Sequence, residues 1–364
     1  MANSPEKLPT GNRASNIELL RILSMVMIIG FHIAIHSHFP RYAEVFTVNS
    51  LWLRFLRMGG KVGVNIFVLI SGYFMVTGSS PNYTKAARLW LQVFTYSILC
   101  LLVALAFGSE TFSILSVVKN LLPILRTKWW FATTYFLLFL LAPYLNKGLQ
   151  ALDENMHRWL LIILFAVWSV IPTFLPVNLE CNNLLWFVFL YALAAYLRLH
   201  FDPSRLKTKT CLLFTLLVAV ASYLIFLGLA WLDTKITLPD NYTSEFFTME
   251  KLPVLLMSLG LFLGFLNLKM KSSPIINHLA SATFGIYLIH DNSYIRKLLW
   301  QDLFRNAQWL ENDLLIPYTL LQILLVFAVC AGIELLRIHL LERLYLPHLS
   351  RFFDWLKKLF KKKA

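Results

Sequence analysis

The stretch Ile17-Glu-Leu-Leu-Arg21-Ile-Leu-Ser-Met-Val-Met-Ile-Ile-Gly-Phe-His32-Ile-Ala-Ile-His36-Ser-His38 is apolar and long enough to cross a membrane, yet it carries Glu18, Arg21, His32 and His36. On a helix, the eleven-residue step from Arg21 to His32 closes to within about 20° of three turns, so the two side chains share a face roughly 16 Å apart along the axis. Glu18 precedes Arg21 by three residues and His36 follows His32 by four, which adds both to that face. Charged groups in hydrocarbon cost several kcal/mol each unless they face a protein interior or a wet cavity. The stripe therefore marks a functional site; the plainer alternative is an ion pair that fixes helix packing, with histidines near the membrane surface.

The rest of the chain agrees with a membrane setting. Of 364 residues, 58% are hydrophobic and only 14% are charged, against roughly 25% charged in an ordinary soluble domain. Apolar stretches recur at about 17–37, 59–77, 88–107, 129–144, 158–175, 183–199, 210–231, 251–268, 274–291 and 314–337. This pattern predicts an all-α polytopic bundle of about ten transmembrane helices. Arg198, Arg205, Lys207 and Lys209 crowd one connection, while the next holds Lys235 among Asp233, Asp240 and Glu245. That asymmetry places both termini in the cytoplasm. Arg41, Arg54 and Arg57, read as an outer loop, run against it.

Three regions follow: a cytoplasmic lead over 1–16, a transmembrane domain over 17–340, and a basic tail over 341–364. In the tail, Phe352, Trp355, Leu356 and Phe360 fall on one helical side among lysines, the pattern of an interfacial helix held by anionic lipid. The net charge of +14 is a topology signal and does not point to nucleic acid. Cys100, Cys181, Cys211 and Cys330 are dispersed and outline neither a disulfide framework nor a metal site. A P-loop, a nucleophile elbow and a dinucleotide fingerprint are missing, so no tightly bound cofactor is expected. Asn82-Tyr83-Thr84 and Asn241-Tyr242-Thr243 match glycosylation sequons, but nothing else points to a eukaryotic secretory route.

His32 has the chemistry of a general base, because a neutral imidazole can take the proton of a hydroxyl attacking a carbonyl. Arg21 stays protonated, and its fork of donors suits a phosphate or pyrophosphate; Glu18 can hold it in place. Gly59, Gly60 and Gly63 allow close helix approach, and Ser71-Gly72-Tyr73 interrupts the same crossing. Lys85 and Arg88 read as a cytoplasmic flank, and Trp129 and Trp130 as an interface belt. His290-Asp291 closes the ninth stretch on the side where His32 emerges, which permits a shared acceptor site.

Taken together, these motifs resemble the large family of membrane-bound acyltransferases that O-acetylate polysaccharides and related glycans. The likeness rests on Ile17-Glu18-x-x-Arg21, ten residues and His32. It continues with Gly60, Gly63, Val64, Phe67, Ser71, Gly72 and Tyr73, the basic Lys85 and Arg88, the aromatic Trp129–Tyr135 run, and Tyr287-Leu288-Ile289-His290. Tyr73 stands where the family commonly has Phe, and Lys85 or Ala86 where it often has a paired arginine. The resemblance implies a multi-pass enzyme of the bacterial plasma membrane. It would move acetyl from cytoplasmic acetyl-CoA, as cosubstrate, to a hydroxyl of a surface or lipid-linked glycan. His32, Arg21, Glu18 and His290 would be its catalytic residues, and Arg21, Lys85 and Arg88 its donor-binding ones. The alternative class is a proton-coupled secondary transporter or polysaccharide permease, which would use an intramembrane Arg and His equally well.

Overall fold

The computed structural model describes residues 14–39, 46–78, 82–175, 177–236 and 245–361, the side chains of 357–361 excepted. The beginning of the N-terminal lead, Arg41, Asp240, the Asn241 sequon, Phe360 and the last tail lysines lie outside that description. The chain is an all-α bundle. Among the described residues six helices are long and apolar enough to cross a membrane: Ser15–His36, Val48–Met75, Tyr83–Ala106, Glu154–Phe174, Thr208–Asp233 and Leu315–Leu356. Asn183–Leu199 and Leu252–Leu266 are shorter apolar helices.

In chain order the helices are α1 (Ser15–His36), α2 (Val48–Met75), α3 (Tyr83–Ala106), α4 (Ile114–Leu121), α5 (Trp130–Ala151), α6 (Glu154–Phe165), α7 (Ile171–Phe174) and α8 (Asn183–Leu199). Then come α9 (Thr208–Asp233), α10 (Leu252–Leu266), α11 (Pro274–Ser281), α12 (Thr283–His290), α13 (Ser293–Lys297), α14 (Leu315–Arg337) and α15 (Arg343–Lys361). A π-helical turn joins α6 to α7 and another joins α14 to α15. Side-chain caps start several helices where the sequence supplies a short polar residue. The Asn182 side chain accepts from the amides of Leu184 and Leu185, and Asn82 from that of Lys85.

Two expected boundaries are corrected. The second crossing begins at Val48, not 59, so Arg54 and Arg57 lie within α2 and not in a loop. Arg54 is buried, its guanidinium 4.7 Å from the Phe46 ring centroid. Here protein, not solvent, surrounds the charge, which hydropathy alone cannot register. The ninth stretch is two helices, α11 and α12, broken at Ala282.

The core is built on α2, which packs against α1, α8 and α10. Its small residues are where the backbones meet. A Cβ at Gly60 would stand 2.2 Å from the Phe31 ring, and one at Gly63 would stand 2.7 Å from the Ser24 carbonyl oxygen. At Gly72 it would press the Tyr191 backbone at 3.0 Å. A buried amide bridges three segments: Trp186 Nε1 donates to Asn65 Oδ1 at 3.0 Å, and Asn65 Nδ2 donates to the Met249 carbonyl at 2.8 Å. The α9 helix covers this layer through α10 and turns Leu213, Leu216, Leu217 and Leu224 outward, as a lipid-facing helix does.

A second buried framework ties α3, α12, α14 and α15 together. Arg337 donates to both oxygens of Glu334, at 2.8 and 2.9 Å, and to Glu342 at 2.7 Å. The five-residue step from Arg337 to Glu342 spans the π-helical turn, whose i→i+5 geometry sets the two side chains together. Tyr96 and Gln92 donate to the same Glu334 carboxylate at 2.6 and 2.9 Å, and Arg88 pairs with Glu342. Gly285 of α12 lies directly on Glu334, since a Cβ there would come within 2.4 Å of the carboxylate.

Removing one partner of a buried ion pair is far more costly than removing an exposed one. We therefore expect Glu334→Ala to destabilise the protein by roughly 3 kcal/mol or more, because Tyr96, Gln92 and Arg337 all lose their acceptor. Arg88→Ala removes a side chain that is 47% exposed and should cost about 1 kcal/mol or less. Unfolding in detergent, followed by tryptophan fluorescence, compares the two; equal losses would contradict the assignment of Glu334 as the centre of the network.

Candidate active site

The polar face of α1 faces inward, with Glu18 and His32 buried. Arg21 and His32 both line one cavity of about 260 Å³, enclosed by α1, α2, α3, α5 and the α11–α12 break. Met25 and Ile28 bridge the wall between them, and Ala280, Ser281, Thr283 and Phe284 contribute the broken segment. Irregular backbone at membrane depth is tolerated where it lines a cavity. At one end, Glu18 is buried and its Oε1 lies 3.9 Å from Arg21 Nη1, a loose pair. Arg21 Nε and Glu18 Oε2 make no hydrogen bond among the described residues. The guanidinium therefore retains donors for an anion in the cavity.

At the other end two histidines meet. His290 Nδ1 lies 2.6 Å from the Ile286 carbonyl, and its Nε2 lies 2.9 Å from His32 Nδ1. A carbonyl can only accept, so Nδ1 of His290 carries the hydrogen and Nε2 of the neutral ring holds the lone pair. His32 Nδ1 must then donate, which leaves the lone pair of His32 on Nε2. Asp291 Oδ1 is 3.6 Å from that atom, beyond hydrogen-bond reach but close enough to stabilise an imidazolium. The site thus orients the ring, fixes its tautomer and supplies the counter-charge, the three supports a general base needs.

Asp291 is itself held in place. It is 1% exposed; its Oδ1 accepts from Arg296 Nε at 2.9 Å and lies 3.4 Å from His36 Nε2. His32, His36 and Asp291 offer ligand atoms within 4.8 Å of one another, close enough for a cation. Arg296 already supplies positive charge at the same oxygen, which sets the cluster against a second cation. Tyr287 lines the cavity one turn before Asp291, its hydroxyl buried.

The second motif divides between the site and the packing. Gly60 and Ser71 line the cavity; Ser71 Oγ donates to the Phe67 carbonyl at 2.8 Å and meets the Tyr135 hydroxyl at 2.9 Å. Gly63 and Gly72 instead admit neighbouring backbones. The Tyr73 ring lies under the Arg198 guanidinium, 5.1 Å away, outside the cavity lining. Lys85 is exposed, and Arg88 is held by Glu342; neither lines the cavity, although Leu89 and Gln92, their neighbours on α3, do.

Lys61, within the glycine-rich run of α2, also lines the cavity. Its ammonium sits 4.4 Å from the Trp130 ring centroid and 5.7 Å from that of Phe31, within electrostatic reach of Asp291 and Glu250. A lysine mid-way along an apolar helix is the one available signal of its importance. Arg296 carried no such signal, because it lies beyond the crossing, where basic residues are ordinary.

No curated protein and no solved structure matches the chain. A family model described as an acyltransferase domain matches residues 15–335, from the first turn of α1 almost to the end of α14 and so around the whole cavity. The chain is a multi-pass membrane protein of the acyltransferase-3 family.

Proposed function

We propose that the protein is a membrane O-acetyltransferase of the bacterial plasma membrane. It takes acetyl from cytoplasmic acetyl-CoA and places it on a hydroxyl of an outer-face or lipid-linked glycan. The observation that carries this reading is that one cavity is lined at its two ends by Arg21 and His32. With the N-terminus inside and about ten crossings, the Arg21 end opens toward the cytoplasm, where acyl-CoA is made, and the His32 end toward the outside. The loop charges support that orientation.

In this mechanism Arg21, steadied by Glu18, receives a phosphate of the donor, and the exposed Lys85, on the turn below the cavity lining, adds positive charge at the entrance; Arg88 joins it only by exchanging Glu342 for the donor. The acetyl thioester extends along the cavity toward His32. The glycan hydroxyl oxygen attacks the acetyl carbonyl carbon while His32 Nε2 takes its proton. The imidazolium so formed is stabilised by Asp291 and oriented by His290. As the carbon–sulfur bond breaks, the thiolate leaves and takes that proton, giving acetylated glycan and free coenzyme A. Ser71, hydrogen-bonded to Tyr135, and the ring of Tyr287 complete the cavity wall. The basic tail holds the cytoplasmic end of α15 to anionic lipid.

Transfer of label from radioactive acetyl-CoA to glycan by purified protein is the direct test. His32→Ala should remain folded and bind coenzyme A but lose transfer by roughly 10²-fold or more, the scale for a positioned base. His36→Ala should cost far less, and the double variant should be little worse than His32→Ala. Near-normal turnover in monodisperse His32→Ala would remove the histidine from the chemistry.

Arg21→Lys keeps the charge but loses the fork, so coenzyme A should bind about tenfold more weakly, ~1.4 kcal/mol, by calorimetry. Wild-type affinity in Arg21→Ala would return the arginine to a packing role. For the orientation, a membrane-impermeant maleimide added to intact cells should label Glu245→Cys, and should reach Lys207→Cys only after permeabilisation, both in a Cys181→Ser background. The reverse pattern would invert the route from donor to acceptor.

A further inference from the structure

A second cavity, of about 560 Å³, adjoins the first. It is formed by the turn between α7 and α8 and by the segment entering α10, with Trp168, Asn178, Asn183, Glu250 and Lys251 in its lining. Lys61 belongs to the linings of both cavities. We propose that this second cavity is the binding site of the acceptor saccharide, and that Lys61 marks its inner end, where the acceptor hydroxyl enters the catalytic cavity. The proposal rests on the O-acetyltransferase reading above and adds the place and chemistry of acceptor recognition.

The lining has the composition a saccharide needs: amides and two carboxylates for hydroxyl groups, and indole rings for the apolar face of a sugar ring. Much of that capacity is pre-set by the fold. Asn178 Oδ1 accepts from the Cys181 amide and Asn182 Oδ1 from the Leu184 amide, which aims each NH₂ group elsewhere. Glu250 is fixed twice, its carbonyl accepting from Ser169 at 2.7 Å and its Oε1 from Thr248 at 2.7 Å; among the described residues its Oε2 accepts no hydrogen bond, which suits it to a ligand hydroxyl. The Trp168 Nε1–H donates to the Leu179 carbonyl at 3.1 Å, so the indole is anchored by its edge where it lines the cavity. A polar site with donors and acceptors oriented in advance binds without the entropy of ordering them.

The two cavities also differ in the right sense. The first is bordered by Phe31, Phe67, Trp130 and Phe131, a lining suited to an acetyl thioester and to the exclusion of water. The second is lined by hydrogen-bonding groups on segments that the N-inside orientation places outside. Lys61, which lines both cavities, supplies a cation where they meet and so favours the negative charge that develops on the carbonyl oxygen as the hydroxyl attacks.

The test compares Glu250→Gln and Asn183→Ala with wild type in detergent, using radioactive acetyl-CoA and the envelope glycan fraction of cells that carry the protein natively. Glu250→Gln keeps the Thr248 bond, and Asn183 is exposed at the first turn of α8, so both variants should melt as wild type does. The glycan KM should rise by on the order of tenfold in each, the loss of a hydrogen bond to a charged or polar group, while the acetyl-CoA KM stays within about twofold. Wild-type glycan KM in both variants would overturn the acceptor site and leave the O-acetyltransferase reading standing. Wild-type protein that binds coenzyme A but labels no glycan would overturn both.

Discussion

Everything at the site depends on the close approach of α1 and α2. The α1 helix carries a carboxylate, a guanidinium and two imidazoles on one face, and in a bilayer that face must be sheltered by protein. Gly60 and Gly63 permit the shelter, since any side chain there would strike Phe31 or the Ser24 carbonyl. The same approach sets Lys61 beside Trp130 and brings the Gly60 wall against the cavity that Arg21 and His32 line. Packing and chemistry therefore rest on one contact. Small residues at this interface contribute by absence, which lets two backbones meet and leaves the polar atoms facing an enclosed space instead of lipid.

The broken α11–α12 segment is the complementary element. It must end near His32 with His290 and Asp291 correctly aimed, yet a helix interrupted at membrane depth has backbone groups to satisfy. Thr283 Oγ1 donates to the Ala280 carbonyl at 2.8 Å and so closes the break locally. Behind it, the Glu334–Arg337–Glu342 network gives a rigid, fully hydrogen-bonded floor. Such networks contribute less to net stability than their bond count implies, because desolvation offsets much of the attraction. Their value here is positional, in fixing where α12 lies.

Much of this was legible in the chain itself. The spacing of Arg21 and His32 placed both on one face, and the helix over 183–199 agrees with the structure at both ends. What could not be read has physical causes. Arg54 and Arg57 resemble loop residues because the surroundings of a charge, and not its own hydropathy, decide whether it can lie within a crossing. The break at Ala282 has no proline or glycine to announce it. Asp291 and Arg296 complete the histidine cluster only through a contact between the first helix and a segment late in the chain. Periodicity describes one helix at a time, whereas this site is made by partners remote in sequence.

The packing of Gly285 on Glu334 has a consequence for inheritance. A methyl group at position 285 would overlap the carboxylate, while a shorter acid at 334 would withdraw from Tyr96, Gln92 and Arg337 together. Neither position can change alone without disturbing four side chains and the aim of α12. In relatives that keep this arrangement the two should vary as a pair, a larger residue at one accompanied by a smaller one at the other. Drift along the lipid-facing side of α14 meets no such condition. One helix thus carries both a freely changing exterior and an interior locked to its neighbour.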